Sequence, residues 1–187
     1  MSSMQLSEKQ KELLLDIARK TIENLTNGKP LPDFNIDDSL LNAKCGAFVT
    51  IHSRGNLRGC IGNIIGHSSL WETVRKMAFE AASNDPRFPP VTADELEKID
   101  IEISVISPFK KIDNIEQIQV GQHGIFLKQG YNQGLLLPQV ATEYDWGRKE
   151  FIEHTCMKAG LNKDCYRNEK CEIYIFSATV FGEKPGD

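Results

Sequence analysis

Apolar residues recur at helical spacing in three stretches of this chain and alternate at strand spacing in others. In SEKQKELLLDIARKTIENL, Leu14, Ile17, Ala18, Thr21 and Leu25 line one face, and Ser7 with Gln10 forms a capping box. TNGKPLPDF ends that helix and opens an extended linker with two prolines. SSLWETVRKMAFEAAS predicts a second helix, capped by Ser69 and Glu72, with Leu70, Val74, Met77, Ala78 and Ala81 on one stripe. A third is expected over DWGRKEFIEHTCMKAG, opened by Asp145 as N-cap and closed by Gly160.

The strand signals lie between these. CGAFVTIHSRGNLRGCIG predicts two strands around the turn Ser53-Arg54-Gly55-Asn56. IDIEISVISP alternates, with Ile99, Ile101, Ile103 and Val105 on one face and Glu102 and Ser104 on the other. GIFLKQGYNQGLLLP predicts a hairpin, and CEIYIFSATVF, apolar on both faces, one central strand. NDPRFPP is non-helical because its three prolines fix φ and remove donors; Thr92 and Glu95 suggest a short helical turn after it. This irregular interleaving points to an α+β fold: a mixed, largely antiparallel sheet with packed helices and a smaller second lobe, not a doubly wound parallel fold. The first helix with its linker, or the Pro-rich part, is the expected source of that lobe. One domain is expected over residues 5–183, followed by a tail at 184–187.

Composition narrows the function classes. The chain has 187 residues, ample for an independent core, with 40% hydrophobic and 26% charged residues. A net charge of -4 disfavours a nucleic-acid backbone binder, which would need a local patch such as Arg54, Arg58, Lys110 and Lys111. MSSMQLSEKQ lacks the regions of a signal peptide, and no apolar run approaches the ~20 residues that span a bilayer. Five scattered cysteines, an odd number, fit reduced thiols in a cytoplasm. Cys156, Cys165 and Cys171 match no zinc spacing, so neither a metal nor a cofactor is expected. P-loop, G-x-G-x-x-G, H-E-x-x-H and G-x-S-x-G motifs do not occur, which weighs against nucleotide hydrolases, dinucleotide enzymes, zinc proteases and serine hydrolases.

Within LRGCIG, Cys60 stands between Gly59 and Gly62, with Arg58 two residues before it. A thiol becomes a nucleophile when positive charge, a helix N-terminus or a base lowers its pKa. On a regular strand Arg58 would share the face of Cys60, and the two glycines would let a backbone or ligand approach. The competing reading is a small buried residue that fills space. Glu102 is either an outward carboxylate or, if its face is covered, an acid/base group. His123, in a glycine-flanked turn, is a candidate general base or a structural histidine. Arg87 in the stiff NDPRFPP loop suits a carboxylate or phosphate, and otherwise pairs with a nearby acid. Gln139, Tyr144 and Trp146 line either a pocket or a packed corner.

Taken together, GAFVTI, LRGCIG, DPRFPP, IEISVISP, HGIFL, LPQVATEYDWGRKEFIEHTCMKAGL and IYIFSATVF resemble, in order and approximate spacing, the AMMECR family. The family is named after the Alport syndrome chromosomal-region protein. The resemblance extends from the first helix to Phe181. It implies an α+β domain with a smaller lobe, and partnership with a Memo-like protein and a radical S-adenosylmethionine (radical SAM) protein. It also implies a cysteine-dependent activity on a small anionic, nucleotide or peptide substrate, or else a non-catalytic partner or substrate-presenting module. The positions it points to are Arg58, Gly59, Cys60, Gly62, Arg87, Glu102, His123 and Gln139. In the leading reading Cys60 attacks, His123 or Glu102 moves the proton, and Arg58 and Arg87 hold an anion.

Overall fold

The computed structural model describes residues 5–183 and shows an α+β protein in two compact units. The expected tail at 184–187 lies outside the described residues. Ser107–Ala178 forms one unit, and the rest of the described chain forms the other. The first helix and the Pro-rich loop therefore belong with the LRGCIG hairpin. The second unit is instead a contiguous insertion between two strands of the first.

The first unit is a four-stranded sheet in the order β2-β1-β3-β8, built from β1 (Gly46–Ser53), β2 (Asn56–Asn63), β3 (Ile99–Ile106) and β8 (Ala178–Gly182). Two helices, α1 (Glu8–Thr26) and α2 (Leu70–Ser83), contribute to its core. Both open with the expected capping boxes, Ser7 with Gln10 and Ser69 with Glu72. Ala47, Val49 and Ile51 on β1 and Ile99, Ile101, Ile103 and Val105 on β3 are buried with Leu14, Ile17, Val74 and Ala78 of the helices. Phe48, Thr50, Glu102 and Ser104 occupy the other face and are half-buried. Arg54 and Gly55 both take positive φ, 51° and 77°, the geometry that lets a two-residue hairpin turn follow the strand twist.

The second unit is a sheet in the order β4-β7-β5-β6, with β4 (Lys110–Ile112), β5 (Gly124–Gln129), β6 (Asn132–Leu136) and β7 (Glu172–Phe176). Ile125, Leu127, Ile173 and Ile175 pack in a core with Phe151, Ile152 and Cys156 of α4 (Arg148–Lys158). Sequence and structure differ at two elements here. The third expected helix is α4, with Gly147 rather than Asp145 as its N-cap, and a short helix that was not expected, α3 (Pro138–Glu143), precedes it. Asp145 instead takes a positive φ of 53° in the connecting turn, so it is not a cap. The Gly147 N–H donates to Glu150 Oε2 (2.8 Å). The expected single strand CEIYIFSATVF is also two, because the chain leaves one sheet after Phe176 and enters the other at Ala178. Its apolar residues on both faces reflect a strand that changes cores, rather than one strand buried on both sides.

Candidate functional site around Cys60

The register of the hairpin decides where Cys60 points. From the turn, Ser53 pairs with Asn56 and His52 with Leu57. Continued without interruption, that register would set Cys60 opposite Val49, on the buried face. A bulge between Ile51 and His52 absorbs one extra residue of β2, so Ile51 pairs with Gly59 and Thr50 with Cys60. The shift turns Cys60 to the half-open face. Thr50 also pairs with Glu102 on β3, so Cys60, Thr50 and Glu102 form a row across three strands. Two strand spacings, roughly 10 Å, separate Cys60 from Glu102.

Within the row, the Thr50 hydroxyl donates to Cys60 Sγ (3.2 Å). β2 is an edge strand, and NDPRFPP covers it at Cys60. The Cys60 N–H donates to Asp85 Oδ2 (2.9 Å), and Arg87 Nη2 donates to the Cys60 carbonyl (3.3 Å). Arg87 also donates from Nε and Nη2 to the Asp85 carboxylate (3.0 and 2.7 Å). These contacts, led by that of Arg87, hold the Asp85 carboxyl well below the usual range despite its burial. Half of the Arg87 side chain remains exposed, at 53%. Arg58 runs elsewhere: it bonds Glu95 through Nε and Nη2 (2.8 and 3.0 Å) and donates to the carbonyls of Pro89 and Pro90. That pairing lowers the Glu95 pKa to about 2.

The space beside the two glycines is filled by the protein itself. A Cβ at Gly59 would stand 2.3 Å from the Ala81 carbonyl of α2, and one at Gly62 would stand 2.2 Å from the Phe48 ring. Both glycines allow close packing of backbone and ring. Glu102 is half-buried, and its carboxylate has no hydrogen bond or ion pair among the described residues. His123 and Gln139 belong to the second unit, while the first unit sets Arg87 against the Cys60 backbone and leaves Glu102 two strands away from the thiol. His123 Nδ1 accepts from the Gln119 N–H (3.1 Å), and burial pushes its pKa down. Gln139 is exposed on α3, where its carbonyl accepts from the Thr142 hydroxyl. Trp146 stacks between Tyr144 and His154, with centroids at 4.9 and 3.8 Å.

Three contributors escaped the sequence reading: Thr50, Asp85 as anchor of the Cys60 amide, and Glu95 as partner of Arg58. Each acts on a residue ten or more positions away, and the Thr50 pairing depends on a bulge with no local signal. The five-thiol expectation is corrected: Cys156 and Cys165 form a disulfide, while Cys60 and Cys171 are free thiols. The last turn of α4 and a short turn at Cys165–Arg167 meet across the reversal at Gly160. Among the described residues no group of three or more His, Cys, Asp or Glu is arranged to hold a metal ion, and no helix is long and apolar enough to cross a membrane.

Comparison with known proteins agrees with this architecture. The AMMECR1 family model matches residues 15–181. Protein NEQ441 of Nanoarchaeum equitans is 42% identical, over 91% of this chain and 98% of its own. Protein Mbar_A1807 of Methanosarcina barkeri is 43% identical, over 90% of this chain and 87% of its own. The crystal structure of the uncharacterized protein PH0010 from Pyrococcus horikoshii superposes with a TM-score of 0.80 at 36% identity, covering 96% of this chain and 94% of that one.

Proposed function

The chain belongs to the AMMECR1 family, and from that premise we propose a cysteine-dependent enzyme in which Cys60 attacks an electrophilic centre of a small anionic, nucleotide or peptide substrate. The observation that carries this reading is the bulge, which takes Cys60 off the core side and puts its sulfur under the Thr50 hydroxyl. A residue kept only to fill the core would not be turned away from it. The Thr50 hydroxyl holds the sulfur on that face at 3.2 Å. The exposed Arg87 guanidinium, fixed by Asp85, is the group placed to receive an anionic substrate. Arg58 serves as a positioning residue, because Glu95 and two carbonyls already occupy its fork. Glu102 shares the row of Cys60 with Thr50 between them, and is the candidate for proton transfer through an intervening group. His123 lies in the other unit, with Nδ1 already accepting from the Gln119 N–H, and takes no part in this reading.

The test is competitive alkylation of the folded full chain with iodoacetamide across pH 6 to 9. Cys60 is expected to react at least tenfold faster near neutral pH than Cys45 and Cys171, whose pKa values burial raises. Equal rates for the three thiols would falsify the nucleophile. The Memo-like and radical SAM proteins implied by family resemblance are proposed partners, and co-purification of either with the full chain tests that separately.

A further inference from the structure

Three of the five cysteines converge far in sequence from LRGCIG. Cys156 lies in the last turn of α4, Cys165 opens the short turn after it, and the segment Cys165–Cys171 folds back through bonds from the Asn168 N–H to the Cys165 carbonyl and from the Cys171 N–H to the Asn168 carbonyl. Cys171 Sγ thereby lies 3.9 Å from Cys165 Sγ, which is already bonded to Cys156. Cys165 is the shared sulfur. It also lines a cavity of about 350 Å³ with Gln129, Asn162, Asp164, Arg167 and Asn168. Cys156 is fully buried, so the cavity reaches the disulfide only at Cys165. Gln129 Oε1 is a buried acceptor with no hydrogen-bond partner among the described residues. Arg167 adds an exposed cation to the cavity wall.

We propose that this cluster is a thiol–disulfide exchange site for a small peptide-like thiol carrying carboxylate groups, with Cys165 as the attacked sulfur and Cys171 as the resolving thiol. Gln129 Oε1 accepts an amide N–H of the ligand, and Arg167 takes a carboxylate. The thiolate of the ligand attacks Cys165 Sγ; the Cys156–Cys165 bond breaks, and Cys156 leaves as a thiolate and takes up a proton. Cys171 gives up its proton and attacks the same sulfur. The Cys165–Cys171 bond forms, and the ligand departs as a thiolate that is reprotonated. The disulfide has moved, and no net oxidant or reductant is consumed. The resolving step is slow at neutral pH, because burial and the neighbouring Glu172 charge keep the Cys171 proton on.

Glutathione is the probe. The oxidised full chain is incubated with it, quenched in acid and mapped by mass spectrometry. A Cys165–Cys171 linkage is expected beside Cys156–Cys165, and it should form faster as pH rises. In C171S only Cys156 can resolve the mixed disulfide, so the Cys165–Cys171 linkage is lost; in C156A/C171S no resolving thiol remains, and glutathione added in its oxidised form should stay on Cys165 at least fivefold over C156A. R167A should slow attack by glutathione about threefold and leave attack by uncharged 2-mercaptoethanol unchanged. C156A guards against a disulfide too buried to exchange, since oxidised glutathione should then link Cys165 to Cys171 directly. The proposal fails if Cys156–Cys165 remains the sole linkage, if C156A/C171S carries no more adduct than C156A, or if Cys165 and Cys171 stay unlinked in C156A. An equal effect of R167A on both thiols removes the cavity from it.

Discussion

Cys60 and Cys171 are both half-buried free thiols at the margin of a sheet, yet their surroundings are assembled in opposite ways. Cys171 owes its sulfur neighbour to a six-residue fold-back, so its environment is local in sequence. Cys60 owes its neighbours to other segments: Thr50 on β1, Asp85 and Arg87 in the Pro-rich loop, and Ala81 behind Gly59. A local environment survives distant change. One assembled from separate segments depends on every contact that holds them in register.

The largest expected effect comes from filling the space behind Gly59. G59A drives a Cβ toward the Ala81 carbonyl, a backbone atom with little room to yield, and should cost about 2 kcal/mol in urea unfolding. Cys60 alkylation should change with it, while the Cys165–Cys171 contact stays intact. A G59A protein with native stability and unchanged Cys60 reactivity would break the contrast.

Acid separates the two regions next. Glu95, paired with Arg58, and Glu172, bonded to Tyr174, Lys111 and Lys128, are both lowered to about 2. A carboxyl that titrates lower in the folded state stabilises it above the unfolded value of about 4, and the stabilisation is lost as pH falls through about 2. Glu95 and Arg58 are 23% and 13% exposed, so E95Q should remove on the order of 1 to 2 kcal/mol at neutral pH and flatten the loss between pH 4 and 2. E172Q acts on a more open, salt-screened cluster. Its stability effect should be smaller and should fade in 0.5 M salt. A salt-insensitive E172Q effect as large as that of E95Q would overturn the distinction.

The smallest effect is expected from T50V, which removes the donor to Cys60 Sγ and keeps the shape. Alkylation of Cys60 should slow roughly threefold, the rate equivalent of a bond worth about 0.7 kcal/mol, with Cys171 unaffected. An unchanged Cys60 rate would assign the Thr50 contact to packing alone.

Much of this architecture is legible in the residues themselves. The faces of α1 and α2, their capping boxes, the hairpin turn at Arg54-Gly55 and the alternation of β3 follow from local preference and periodicity, which act over a few residues. The family follows from motifs held in order along the chain. The failures share another cause. CEIYIFSATVF carries the apolar pattern of one buried strand, and only the existence of two cores divides it at Ser177. Asp145 satisfies the composition of an N-cap, but the corner before Trp146 requires a positive φ and moves the cap to Gly147.

LRGCIG shows where that boundary lies. The sequence by itself determined that a thiol stands between two glycines on a hairpin strand, after a two-residue turn that fixes the starting register. Only the tertiary structure decided which way the thiol faces. Because side chains alternate with a period of two, the single extra residue in β2 exchanges the buried face for the open one. That bulge coincides with Arg58 tied to Glu95, Gly59 against α2, and Asp85 holding the Cys60 amide, all contacts made across more than twenty residues of chain.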